Sequence, residues 1–268
     1  MTTGFRGGVR VWMNVRSLLL VALLVASACK PPFDPKNYPN PDKLYAVALQ
    51  EFKAKRWENS AKAFEKLTTD LGVRDPRLPS AYFYLAQSQA NQGMHLLAAT
   101  TYNRLVDAFP QDTLVDDALF LSGKSYQKMW RKPALDAQYG ESAITAYESL
   151  LASYPDSPFA SRAKTELTKL DEWFAIKDYD TGYLYLKRKA YDSAIIYFKD
   201  VIRLHPNAAK TRVAYLRLIE AYRAIRYRDD ARDLCDAMRK AYPDDKEVRR
   251  ACGPAAPATT ATPPTSNQ

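Results

Sequence analysis

The stretch Ala194-Ile195-Ile196-Tyr197-Phe198-Lys199-Asp200-Val201, closed by His205-Pro206, decides the fold. Ala194, Phe198 and Val201 lie four and then three residues apart, so one stripe of an α-helix carries all three. The small residue lets a neighbouring helix come close, and the aromatic fills the space beside it. Pro206 ends the helix, because proline has no N–H to donate and its ring clashes with the preceding turn. The same phrase stands at Ser60/Phe64/Leu67, Ala98/Tyr102/Leu105, Ala143/Tyr147/Leu150 and Ala231/Cys235/Met238. Cys235 alone breaks the aromatic position. Pro110, Pro155 and Pro243 close three of these copies.

Working outward, the residues twelve before the anchors are Ala48, Ala86, Gly182 and Ile219. Phe52, Tyr185 and Tyr222 follow them at three or four positions, with Gln89 the exception. Each unit is therefore a helical hairpin with a close approach at its centre, and the phrase resembles the tetratricopeptide (TPR) repeat. The anchors Ser60, Ala98, Ala143, Ala194 and Ala231 are 38, 45, 51 and 37 residues apart, against a TPR period of ~34. The second step hides an insertion, Trp130 to Asp136, after the Gly123/Tyr126 pair of the third hairpin. The third hides a long helix from Phe159 to Ala175 or beyond, with Ala163, Leu167, Leu170 and Phe174 at helical spacing. The expected fold is all-α, an α-solenoid of five irregular hairpins over residues 42–252.

The ends read differently. Arg6, Arg10 and Arg16 precede an uncharged run, Leu18 to Ala28, which is too short to span a bilayer and suits a signal peptide over residues 1–28. Ala26-Ser27-Ala28-Cys29 resembles a bacterial lipobox, with Cys29 as the lipidated residue; plain secretory cleavage after Ala28 is the alternative. Met13 is a second candidate start. Residues 29–41 hold five prolines and read as an extended tether, and residues 253–268 as a disordered Pro/Ala/Thr tail. The mature chain would sit in an oxidising compartment.

Composition excludes several classes. The chain has 268 residues, 47% hydrophobic and 26% charged, which is globular rather than disordered. Two histidines and three cysteines leave no zinc site, and neither a phosphate-binding loop nor a nucleophile elbow is present. No cofactor, metal or catalytic residue is expected. His205, beside Pro206, reads as a packing or helix-end residue, and His95 as part of a Gly93–Leu97 turn. Asp116-Asp117 and Asp229-Asp230 point in different directions on a helix and read as N-terminal charge. The net charge is +9, with basic clusters at Lys124, Lys128, Arg131 and Lys132, at Lys187, Arg188 and Lys189, and at Arg217, Arg223, Arg226 and Arg228. They are either solvated faces or contacts for an acidic or phosphate-bearing partner; export makes nucleic acid an unlikely one. Of the consecutive aromatics Tyr82, Phe83 and Tyr84, only some can share one core. Phe83 is expected on the concave side with Gln87 and Asn91, unless it packs under the first hairpin.

The ordered combination of lipobox, proline tether, five hairpins, insertion and long helix resembles the BamD lipoprotein family of the outer-membrane β-barrel assembly machinery. Tyr45 to Phe64, Tyr154-Pro155-Asp156-Ser157 and Tyr179 to Phe198 carry the resemblance, above all Gly182-Tyr183-Leu184-Tyr185-Leu186-Lys187-Arg188-Lys189-Ala190-Tyr191. Leu71-Gly72 and the tail depart from the family pattern. The resemblance implies a non-enzymatic, lipid-anchored protein on the periplasmic face of the outer membrane. Its C-terminal hairpins would bind a POTRA domain of the barrel assembly subunit, here through Tyr183, Lys187, Arg217 and Arg223. Its N-terminal hairpins would receive peptides of unfolded outer-membrane proteins in a groove at Phe83, Gln87, Asn91, Phe120 and Lys124. Other assembly lipoproteins would be further partners. A different TPR lipoprotein, such as a secretin pilotin or an envelope or cell-division coordination factor, is the competing reading.

With Cys29 acylated, Cys235 and Cys252 are an even pair in an oxidising compartment. If Asp244-Asp245 caps a helix over Lys246 to Cys252 that folds back antiparallel, the two can approach disulfide distance. A buried free Cys235 with an exposed Cys252 is the alternative.

Overall fold

The computed structural model describes residues 32–253. The signal peptide, the lipobox with Cys29 and the tail beyond Gly253 lie outside the described residues. Those described form eleven α-helices, a short 3-10 turn at Pro35–Asn37, and no strand. The helices pair in chain order as antiparallel hairpins: α1 (Pro41–Lys53) with α2 (Trp57–Asp70), α3 (Leu78–Asn91) with α4 (His95–Ala108), and α5 (Val115–Met129) with α6 (Gln138–Ser153). The C-terminal part of α7 (Ala160–Lys187) pairs with α8 (Tyr191–Leu204), α9 (Ala209–Ala224) pairs with α10 (Arg228–Ala241), and α11 (Lys246–Cys252) folds onto the last hairpin. The result is an α-solenoid whose core is a row of local clusters rather than one centre.

The small residues make the close approaches. A Cβ on Gly123 would lie 2.6 Å from the Tyr147 ring, and one on Gly182 would lie 3.0 Å from the Phe198 ring. Each glycine is thus faced by the aromatic of its own second helix. Ala98 and Ala143 are completely buried. Replacing either with Leu is expected to cost about 1–3 kcal/mol by overpacking. Thermal melts check this, and unchanged melting of both variants would refute the repeat register.

Four of the five hairpin turns share one backbone solution. Lys55, Gly93, Lys189 and Arg226 take positive φ. The residue after each donates its N–H to a carbonyl five positions back: Arg56 to Glu51, Met94 to Gln89, Ala190 to Tyr185 and Tyr227 to Tyr222. This is the Schellman arrangement, in which a left-handed residue closes the helix end. Four of the five second helices end alike too. Phe109, Tyr154, His205 and Tyr242 cap them with φ near −130° and ψ near 60°. Each stands before a proline, which disfavours continued α conformation in the preceding residue.

Two details depart from the sequence reading. Pro41 is the first residue of α1, not the end of an extended tether; Asn40 caps the helix, accepting from Asp42 and Lys43 N–H, and proline suits a first helical position. Just before it, Phe33 stacks on Tyr38 at 5.9 Å and both pack on the first hairpin. His95 opens α4 instead of lying in a turn. The long helix agrees with the expectation: it runs past Ala175 without a break through the first helix of the fourth hairpin, giving 28 residues.

The third hairpin lacks the shared turn. Its insertion places Trp130 in the core, 1% exposed. The indole lies edge-on to Trp173 at 5.4 Å and tilted on Phe174 at 4.6 Å, both from α7. Gly140 makes room for it: a Cβ there would come 2.4 Å from the indole. Trp130 is therefore the wedge that fixes α7 against the third hairpin.

Candidate functional site

Ala86, Gly123 and Gly182 share a register position, so the residues after them do also. Gln87, Lys124 and Tyr183 come next in each first helix, with Asn91, Lys128 and Lys187 one turn on. This stripe is solvent-facing: Gln87, Lys124 and Tyr183 are half-buried, and Asn91, Lys128 and Lys187 are exposed. Asn91 donates its side-chain amide to the Gln87 carbonyl at 2.8 Å.

Phe83 and Phe120, expected in the groove, are core residues. Both stand three before the small residue, and there the second helix of their own hairpin offers a ring. Phe83 meets Tyr102 edge-on at 5.9 Å, and Phe120 meets Tyr147 at 5.8 Å while stacking on Phe159 at 4.9 Å. Burying such a side chain is worth roughly 1.5–3 kcal/mol, which outweighs any gain from leaving it in a groove. The three consecutive aromatics fan to three neighbours. Tyr82 tilts on Phe109, Phe83 on Tyr102, and Tyr84 stacks on Phe64 of the first hairpin. Phe83 thus packs within the second hairpin rather than under the first.

Beside Lys124, a cleft of about 460 Å³ opens between α5 and α7. Trp130, Leu170 and Trp173 form its apolar walls, and Lys124, Lys128, Arg131 and Lys169 surround it. Glu166 is the one acid lining it. Gln127 donates to Glu166 at 3.0 Å and accepts from the Tyr147 hydroxyl at 3.1 Å, tying the cleft to α6. Burial works to raise the Glu166 carboxyl, but hydrogen bonds from Lys169 and Gln127 prevail and hold it below the ordinary range. The charge left over is positive. Arg162 continues the basic strip, its guanidinium 4.6 Å over Phe120. The Trp130 indole N–H is buried with no hydrogen-bond partner. Sequence reading singled out the basic cluster Lys124, Lys128 and Arg131 here and missed the roles of Trp130, Arg162 and Trp173. Insertion residues carry no repeat register, although a tryptophan in one was a signal.

The C-terminal residues form a second face. The Tyr183 ring lies between Lys187, at 4.9 Å, and Arg217, at 5.5 Å. Arg217 also donates to Glu220 at 2.8 Å. Arg223 shares a shallow cleft with Arg217, but its guanidinium is engaged: it donates to the Ala251 carbonyl and lies 3.7 Å from Cys235 Sγ. It is exposed and also fastens α11. Cys235 and Cys252 are disulfide-bonded, with Cα atoms 5.4 Å apart.

The paired aspartates and His205 have structural contacts. Asp116 accepts from Ser157 Oγ at 2.7 Å, and Asp116-Asp117 and Asp229-Asp230 lie in first turns of α5 and α10. His205 caps α8, packs on Phe174 and hydrogen-bonds Asp171 at 2.6 Å. Among the described residues, no group of His, Cys, Asp and Glu could hold a metal ion, and no helix is long and apolar enough to cross a membrane.

The profile of a family described as "YfiO: Outer membrane lipoprotein" matches residues 38–236. An outer membrane protein assembly factor BamD of Rickettsia prowazekii is 23% identical over 235 residues, spanning 86% of this chain and 92% of that protein. Its namesake in Neisseria gonorrhoeae is 25% identical over 198 residues, spanning 69% and 72%. Among solved structures, the TPR2AB-domain:pHSP90 complex of yeast Sti1 aligns with 79% of this chain and 81% of that one, at 16% identity and a TM-score of 0.41.

Proposed function

The chain belongs to the YfiO outer-membrane lipoprotein family, and from that premise we propose that it is an outer-membrane protein assembly factor, a periplasmic scaffold anchored by lipid at Cys29. It joins two binding tasks. The cleft between α5 and α7 receives peptides of unfolded outer-membrane proteins. The Tyr183 face binds a POTRA domain of the barrel assembly subunit.

One observation carries the reading: a cleft with tryptophan and leucine walls and a surplus of basic side chains. Apolar walls take up side chains of an extended peptide, and the lysines attract its carboxylates and speed encounter. Tyr183, flanked by two cations, is an amphipathic anchor of the type enriched at interface centres. The lipid anchor is supported by the Ala26-Ser27-Ala28-Cys29 sequence.

Charge reversal tests the division. Lys124→Glu with Lys128→Glu should weaken a C-terminal peptide of a barrel protein about tenfold, which is ~1.4 kcal/mol, and spare the POTRA fragment. Tyr183→Ala with Arg217→Glu should do the reverse. Fluorescence anisotropy reads both. Equal loss of both ligands from either pair contradicts two separate faces.

A further inference from the structure

α7 borders a second groove, roughly a third of a turn round the helix from the basic cleft. It has a volume of about 610 Å³ and is flanked by α6 and the end of α8. Its origin is the 51-residue step between the third and fourth anchors. The first half of α7 fills that step, setting α6 and α8 apart and leaving one face of α7 uncovered. The floor is apolar, formed by Ile144, Leu167, Phe174 and Leu204. Leu204 is 49% exposed.

The walls carry the opposite charge to the rest of the molecule. Glu141, Glu148, Asp171 and Asp178 line the groove, and no Lys or Arg does, in a chain of net charge +9. Glu141 and Glu148 are exposed and make no ion pair among the described residues. Asp171 and Asp178 share a single ring: His205 Nδ1 is 2.6 Å from Asp171 and Nε2 is 3.7 Å from Asp178. Lys177 turns away, donating to the Leu135 carbonyl at 3.1 Å. Burial, helped by the nearby Asp200, raises the Asp178 carboxyl above its ordinary range despite His205 and Lys177.

We propose that this groove docks a basic amphipathic segment of a partner protein, with an apolar side chain on Leu204 and Phe174 and Lys or Arg side chains against Glu141, Glu148 and Asp171. Charge complementarity selects the occupant. An anionic lipid surface is repelled by the carboxylates. A second copy presenting its basic cleft would make a head-to-tail contact that builds rings or open filaments, which the test below detects as self-association. The groove is separate from the α5–α7 cleft and needs neither ligand proposed above.

The test uses the full chain and a fluorescein-labelled amphipathic peptide with leucines on one face flanked by lysines, beside the same peptide with glutamates for lysines. The lysine peptide should bind and the glutamate peptide should not compete for the same site. Glu141→Lys with Glu148→Lys should weaken the lysine peptide about tenfold or more, as should Leu204→Ser, a variant that keeps every charge. Glu58→Lys with Glu65→Lys, the same charge change on exposed positions of α2, should leave affinity within about twofold. Equal loss from the α2 pair, or no loss from the groove variants, overturns the proposal. So does self-association of the chain that disappears in the groove variants, because the occupant is then a second copy.

Discussion

Trp130→Ala should destabilise the chain by about 3–5 kcal/mol, the range for deleting a fully buried large aromatic. The indole is surrounded by Trp173, Phe174 and the Gly140 backbone. None of these can close the void. The Gly140 site has no side chain to extend, and both α7 aromatics are on a helix held at each end by other hairpins. The loss also falls at a junction. The second and third hairpins share one cluster, the fourth and fifth another, and α7 joins them. In a repeat array stability is a sum of units and their interfaces, so weakening this interface should broaden or split the thermal transition. Circular-dichroism melts check it: a single transition within about 2 °C of the parent, less than 1 kcal/mol is expected to shift it, would remove Trp130 from its role as wedge. Because Trp130 also walls the basic cleft, the same variant should lose peptide binding under conditions where it is still folded.

Loss of the disulfide should be the next largest effect. Cys235 and Cys252 are 17 residues apart in sequence, and cross-linking a loop of that length is worth about 3 kcal/mol in the chain-entropy account. The bond takes the place of the aromatic that the other second helices carry. Asp245 caps α11, accepting from Glu247 and Val248 N–H, and Val248 buries against Ile219 and Met238. Two arginines meet its C-terminal end: Arg223 donates to the Ala251 carbonyl and Arg239 to the Cys252 carbonyl, cations where the helix dipole favours them. A seven-residue helix is unstable alone, so these contacts depend on the tether. In Cys252→Ser, amide exchange should rise sharply through α11 and the end of α10 while hairpins one to three keep their protection. Non-reduced tryptic peptides should contain the linked pair, and alkylatable thiols at both positions would reject it.

The two effects differ in how far the sequence announced them. Cysteine parity, the Pro243 stop and the Asp244-Asp245 cap make a fold-back helix with a bridge one of two readings open to the sequence, a free Cys235 being the other. Trp130 fell in an insertion, where no neighbouring repeat supplies a register to compare with. The groove expectation failed for a related reason. Periodicity places Phe83 and Phe120 only four residues from Gln87 and Lys124, close on the helix wheel. The angle between them is small, but a ring from α4 or α6 stands on one side of it and solvent on the other. Arg223 shows the same limit for charge: that this exposed arginine of α9 also holds the Ala251 carbonyl depends on where α11 lies.

By itself the sequence determined the hairpins, their order, the close approaches at Ala98, Ala143, Gly123 and Gly182, and the long helix. These rest on local rules: helical period, the size of one residue against one ring, and the stop at proline. Only the tertiary structure decided which aromatics are core, which basic residues stay free, and that α7 carries a basic cleft on one face and an acidic groove on another. Those features depend on contacts between helices far apart in the chain. A side chain's free energy is set by what covers it, and the sequence states its direction from its own helix axis but not the neighbour waiting there.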